Sequence, residues 1–155
     1  MHVLALPDPA ATDALGAALA NGAAPGLYLA LDGDLGAGKT SLARALLRTL
    51  GVQGRIRSPS FTLVEPYNSK GLPIFHFDFY RFDADDEWSD AGFDEHFDGS
   101  ALCIVEWPGH AGPGLRPPDL RVALEPDGDG RRATLSAGSA RGAAWLTTTI
   151  DALRQ

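Results

Sequence analysis

Gly33-Asp34-Leu35-Gly36-Ala37-Gly38-Lys39-Thr40 constrains this chain more than any other stretch, because it fits the pattern G-x-x-x-x-G-K-[ST]. The apolar run Leu27-Tyr28-Leu29-Ala30-Leu31 leads in as a strand, and Ser41 to Leu50 leads out as a helix. Glycines are needed there because successive backbone N–H groups must curl around a phosphate closer than any Cβ would permit. The helix dipole and its unpaired N–H groups stabilise the anion further. Lys39 is then the movable charge that reaches the β- and γ-phosphates, and the Thr40 hydroxyl is a hard oxygen ligand for Mg²⁺. Nucleotide contact is therefore expected from Gly33, Asp34, Leu35, Gly36, Ala37, Gly38, Lys39, Thr40 and the adjoining Ser41. Residue usage supports this: the chain has two lysines, Lys39 and Lys70, against eleven arginines. Lys39 stands where a compact ammonium fits and a planar guanidinium would not.

The 155 residues predict one domain, long enough for a core but short for a separate substrate lid. With 45% hydrophobic and 21% charged residues the composition is that of an ordinary soluble globular protein. No apolar stretch reaches the roughly 18 residues of a spanning helix. The amino terminus lacks a basic leader and is interrupted by Asp8 and Asp13, so the cytoplasm is the expected location. Cys103, the single cysteine, lies within Ala101-Leu102-Cys103-Ile104-Val105 and reads as a buried, inert thiol. A net charge of −7 argues against broad capture of a polyanion. Eight acidic residues fall between Asp83 and Asp98, as a solvated face or as a docking surface for a basic partner.

Met1 to Leu6 reads as a strand or extended lead-in, and Pro9 to Ala20 as a helix ended by Asn21-Gly22. Gly51 is expected to close the helix after the glycine-rich loop. Phe61-Thr62-Leu63-Val64 and Ile74-Phe75-His76-Phe77 would pair as a hairpin about the turn Tyr67-Asn68-Ser69-Lys70-Gly71. A short helix around Glu87-Trp88, a strand buried on both faces at Ala101 to Val105 and an irregular loop from Pro108 to Pro118 follow. Leu120 to Leu124 and Ala133 to Ser136 alternate as strands about Asp127-Gly128-Asp129-Gly130, before a last helix from about Ala143 to Leu153. The expected fold class is α/β: a three-layer, P-loop NTPase-like arrangement whose mostly parallel central sheet carries antiparallel additions.

A nucleotide hydrolase also needs acids to hold Mg²⁺ and to orient water. Glu106 ends the buried strand, where ligands bind in open α/β sheets, and Asp78 ends another apolar run in His76-Phe77-Asp78-Phe79-Tyr80-Arg81. Spacing alone leaves open which acid is nearer the metal. Ser58-Pro59-Ser60-Phe61-Thr62 lies where a switch segment would sense a γ-phosphate through the hydroxyls of Ser58, Ser60 and Thr62, or else is a proline turn into a strand.

Taken in order, the glycine-rich loop, Ser58-Pro59-Ser60-Phe61-Thr62-Leu63-Val64, His76-Phe77-Asp78-Phe79-Tyr80-Arg81 and Val105-Glu106-Trp107-Pro108 span nearly the whole chain. On these motifs the chain resembles the TsaE family of tRNA threonylcarbamoyladenosine biosynthesis proteins, also called the YjeE ATPase family. Ser60 replaces the threonine of the family pattern S-P-T-[FY]-T, keeping the hydroxyl. The resemblance implies Thr40 and Glu106 as Mg²⁺ ligands, Asp78 as support for the metal or the nucleophile, and Trp107 beside the nucleotide. It also implies that the loop before the first helix, around Pro9 to Thr12, and Arg131 contact ATP. It implies a weak ATPase that works with TsaB and TsaD, meeting tRNA through that assembly.

Three functions compete at this level: an ATP-hydrolysing switch read by partners, a small-molecule kinase, and a nucleotide-binding subunit without turnover. The switch lacks an evident arginine finger, for which Arg81 or a partner's arginine would serve. The kinase needs lid arginines, for which Arg116 and Arg121 are the candidates. A GTPase is disfavoured by the absence of N-K-x-D.

Overall fold

The computed structural model describes residues 1–82, 92–112 and 114–155. In chain order its elements are β1 (His2–Leu6), α1 (Pro9–Ala20), β2 (Tyr28–Asp32), α2 (Lys39–Leu50), β3 (Val64–Ser69), β4 (Leu72–Asp78), β5 (Leu102–Glu106), β6 (Leu120–Asp127), β7 (Gly130–Ala137) and α3 (Ala140–Leu153). Short 3-10 turns stand at Phe93–Phe97 and Pro108–Ala111. The strands form one sheet in the order β1-β7-β6-β2-β5-β4-β3. Its centre, β6-β2-β5-β4, is parallel, while β3 at one side and β7 and β1 at the other add antiparallel pairs.

Alternation along the strands sorts two cores. Leu29 and Leu31 of β2 face α1, α2 and α3 together with Leu102, Ile104, Leu120 and Val122. Tyr28 and Ala30 face the other way, into an aromatic layer with Phe77, Phe79 and Phe82. Phe93 and Phe97 of the first 3-10 turn pack against that layer. Helices α1 and α2 approach closely because Gly16 has no Cβ: one there would lie 2.5 Å from the Ala45 Cβ.

Several boundaries moved for identifiable reasons. The strand expected at Phe61 to Val64 is a turn up to Leu63, whose φ is +70° and whose N–H donates to the Pro59 carbonyl (2.8 Å). Strand β3 therefore runs on through Tyr67 and Asn68, and the reversal falls on Lys70-Gly71, both at positive φ as a two-residue hairpin loop requires. The loop expected from Pro108 contains one 3-10 turn. Helix α3 starts at Ala140, earlier than Ala143, because the Ser139 hydroxyl accepts from the Gly142 N–H (2.9 Å) and caps it. The helix expected around Glu87-Trp88 lies outside the described residues, as does most of the acidic segment. Cys103 is buried; burial pushes its thiol up to about 12, as expected of an inert sulfur. Among the described residues no helix is long and apolar enough to cross a membrane.

Candidate functional site

The turn from β2 into α2 crosses the end of the sheet at the carboxyl termini of the parallel strands. Gly33 has φ +146°, and a Cβ on it would stand 2.6 Å from the Leu124 carbonyl oxygen of β6, so the chain leaves the strand by a path closed to other residues. Gly38 precedes α2 at φ +104° and offers no side chain to cap it. The first N–H groups of α2 are thereby left facing the cleft, which suits an anion. A Cβ at Gly38 would meet the Arg131 Nη1 at 2.6 Å. This glycine thus makes room for a guanidinium from β7, a demand that phosphate geometry alone does not reveal.

Lys39 is buried (5% exposed), its ammonium donating to the Gly33 carbonyl and lying 3.7 Å from the centre of the Trp107 ring. Burial lowers its pKa, opposed by the carboxylates of Glu106, Asp78, Asp32 and Asp34. Trp107 reaches that position from a left-handed backbone (φ +57°, ψ +51°), costly for a bulky residue, at the start of the turn Pro108–Ala111. Tyr80 and His110 meet its ring at tilted angles (centroids 5.0 Å from it in each case) and stack on one another, and His110 Nδ1 lies 2.9 Å from the Tyr80 carbonyl.

The two acids stand side by side. Asp78 and Glu106 are register partners at the ends of the adjacent parallel strands β4 and β5, and both are buried. The Thr40 hydroxyl lies 3.1 Å from each Glu106 oxygen, and Glu106 Oε2 lies 2.7 Å from His76 Nε2. Burial raises the pKa of Asp78, the Tyr80 N–H that donates to it (2.9 Å) lowers it, and the nearby Glu106 raises it again. Among the described residues, no group of three His, Cys, Asp or Glu side chains is gathered to hold a metal alone. The oxygen donors of Thr40 and Glu106, with Asp78 alongside, suit a hard cation that takes its remaining ligands from a phosphate and water.

One cleft of about 220 Å³ is lined by Leu35, Gly36, Gly38, Lys39, Thr40 and Ser41 together with Ser60, Asp78, Glu106, Trp107 and Arg131. Asp34 (exposed) and Ala37 (buried) do not line it; they are joined in the same turn by the Ala37 N–H donating to the Asp34 carbonyl (3.0 Å). Thr12 stands one groove away, between α1 and α2, where Ser41 and Arg131 also reach; its hydroxyl is buried and has no partner among the described residues. Of the three hydroxyls in the switch motif only Ser60 lines the cleft. Ser58 bonds to Ser60 (2.7 Å), and Thr62 turns away to Glu65 (3.0 Å). Arg81 lies over the exposed Phe61 ring (4.5 Å). Neither lid candidate lines the cleft: Arg121 is paired with Asp32, and Arg116 binds Asp119 and the Gly26 carbonyl at the start of β2, the opposite end of the strands. His76 is the residue sequence reasoning left without a role. Its position two before Asp78, on the same strand face, was the available signal.

A family model described as threonylcarbamoyl adenosine biosynthesis protein TsaE matches residues 6–134. The chain belongs to the TsaE family. It is 38% identical over 125 residues to the tRNA threonylcarbamoyladenosine biosynthesis protein TsaE of Bacillus subtilis, covering 81% of this chain and 78% of that one. It is 42% identical over 108 residues to the protein of the same name from Haemophilus influenzae, covering 69% and 68%. The crystal structure of B. subtilis YdiB superimposes with a TM-score of 0.77 at 32% identity, covering 97% of this chain and 94% of that one. Membership of the TsaE family places the chain in threonylcarbamoyladenosine biosynthesis on tRNA.

Proposed function

We propose that this TsaE-family chain binds ATP with Mg²⁺ and hydrolyses it slowly, as a cytoplasmic ATPase acting with TsaB- and TsaD-type proteins in tRNA modification. The observation that carries the reading is the uncapped start of α2, with Lys39 and Thr40, facing two buried acids in register. In this reading the α2 N–H groups and Lys39 hold the β- and γ-phosphates, while Arg131, Thr12 and Trp107 hold the rest of the nucleotide. Thr40 and Glu106 would hold Mg²⁺, and a cation held there would supply positive charge against the negative charge developing on the phosphates.

Asp78, set one strand from Glu106, orients the attacking water, and Ser60 contacts the γ-phosphate from the side. Water oxygen bonds to the γ-phosphorus, the bond to the β–γ bridging oxygen breaks, and ADP, phosphate and the water's proton leave. Lys39 serves the phosphates with the ammonium N–H donors that it does not give to the Gly33 carbonyl. Arg81, drawn onto Phe61, does not complete the charge balance, which accords with a partner supplying that cation. The test is magnesium-dependent phosphate release with and without TsaB, TsaD and tRNA. Turnover should rise when the partners are added; unchanged release at saturating partner would refute a partner-completed site.

A further inference from the structure

We propose that His76 is a positioning residue: it pins one oxygen of Glu106 so that the other is presented to the cation held with Thr40. This rests on the reading of Glu106 as a magnesium ligand given above. His76 is fully buried in β4, and its partner across the parallel register is Ile104. Its neighbours on that side of the sheet, Ile74, Leu102 and Ile104, are all buried hydrophobics. A leucine or isoleucine would satisfy such packing. An imidazole there instead buries two polar nitrogens, and one of them, Nδ1, has no hydrogen-bond partner among the described residues. Leaving such an atom unpaired is costly, so its presence needs a compensating contact. The contact is Nε2, 2.7 Å from Glu106 Oε2. A carboxylate only accepts, so the facing nitrogen carries the hydrogen and donates.

The consequence falls on the two oxygens of Glu106 unequally. The Thr40 hydroxyl lies 3.1 Å from both oxygens, but Oε2 is also held from within the fold by His76, while among the described residues Oε1 has the Thr40 hydroxyl alone. When that hydroxyl turns to a cation, Oε1 is released toward the same point without the carboxylate rotating. A ligand fixed by a second hydrogen bond keeps its orientation in both states, which is how partners behind metal ligands raise affinity. Without His76 the carboxylate is free to turn about its terminal torsion, and part of the cation's binding energy is spent ordering it.

The experiment is calorimetry with a non-hydrolysable ATP analogue, first in EDTA and then with Mg²⁺ titrated into the analogue complex; Mn²⁺ binding by electron paramagnetic resonance gives a second readout. For His76→Leu the Mg²⁺ needed for half-saturation should rise about tenfold or more, with analogue affinity in EDTA unchanged. His76→Gln, whose amide nitrogen reaches toward the place of imidazole Nε2, should recover most of the loss. His76→Asn, whose amide ends short of Glu106, should not. A purely structural role would lower the melting temperature and the EDTA affinity together, and would not separate Gln from Asn. The proposal is overturned if a folded His76→Leu takes Mg²⁺ as tightly as wild type, or if Gln is no better than Asn. A wild-type chain whose analogue affinity ignores Mg²⁺ would instead remove the cation from Glu106, and the proposal with it.

Discussion

Replacing each loop glycine by alanine separates backbone strain from collision. Gly33 and Gly36 both sit at positive φ, +146° and +80°, so alanine is strained at either, by roughly 1–3 kcal/mol. They differ in what the new methyl meets. At Gly36 nothing lies within 4 Å; at Gly33 the Leu124 carbonyl oxygen of β6 stands 2.6 Å away and is backbone, so the strand itself must shift. A forced shift of this kind costs roughly a further 1–3 kcal/mol. For a chain of this length each kcal/mol moves the melting temperature by about 3 °C, so Gly33→Ala should melt roughly 3–9 °C below Gly36→Ala. Gly38→Ala is the third member: its methyl meets the Arg131 guanidinium at 2.6 Å, a flexible end that can move aside. It should melt close to Gly36→Ala yet lose nucleotide affinity, because Arg131 is displaced from the cleft. The assay is thermal unfolding by circular dichroism without ligand, followed by calorimetric titration of an ATP analogue. Equal melting temperatures for the Gly33 and Gly36 variants would refute the reasoning, since the Leu124 contact is the only difference invoked.

Glu106→Gln should retain much of the ATP binding and lose at least about a hundredfold in partner-stimulated turnover, while Lys39→Ala should lose both; equal near-zero turnover in wild type and both variants would favour a binding module. Far from the cleft, Asp119 tests the frame: its carboxylate accepts from Tyr28 N–H (2.8 Å), Ser139 (2.7 Å) and Arg116 (3.3 Å). Burial pushes its pKa up, but the Ser139 hydroxyl, the Tyr28 N–H and Arg116 outweigh that and hold it below the ordinary value. A depressed folded pKa contributes stability above the unfolded value of about 4 and loses it as pH falls through the folded one. Asp119→Asn should therefore cost roughly 1–3 kcal/mol at neutral pH, a gap that stays flat down to about pH 5 and closes in stronger acid. A gap that widened on acidification would contradict it.

What the sequence disclosed was local and periodic. The glycine-rich loop, the strand before it and the helix after it are fixed within a few residues of one another, so pattern and spacing locate them. Strand β5 was legible for a similar reason: buried on both faces, it reads as an unbroken apolar run ending in an acid. Two kinds of feature were not legible. The end of β3 depends on Leu63 taking a left-handed backbone, which no propensity of leucine announces. The contact of His76 with Glu106 depends on β5 lying beside β4, and that is set by strand order, β5 between β2 and β4, rather than by any neighbour in sequence. Gly38 shows the same limit, since its motif assignment concerned phosphate and its nearest obstacle is an arginine ninety-three positions away.

The charge of the cleft has one further consequence. Asp78 and Glu106 lie on adjacent strands, about 5 Å apart in backbone, and Lys39 is engaged by the Gly33 carbonyl and the Trp107 ring. A nucleotide without a metal brings several negative charges toward two buried carboxylates. For a phosphate charge taken at about 5 Å from a carboxylate, with an effective dielectric constant of about 20, each unit repulsion amounts to ~3 kcal/mol before screening. A divalent cation reverses the sign of that interaction, so Mg²⁺ and ATP should each raise the other's affinity. Neutralising one acid should partly substitute for the cation. Asp78→Asn keeps the acceptor for the Tyr80 N–H and removes one charge, so in EDTA it should bind an ATP analogue more tightly than wild type, by about tenfold if half the repulsion survives screening. With saturating Mg²⁺ the advantage should vanish. If Asp78→Asn and wild type bind the analogue equally in EDTA, the acids do not face the phosphates, and the cleft must be oriented differently from the way its charges suggest.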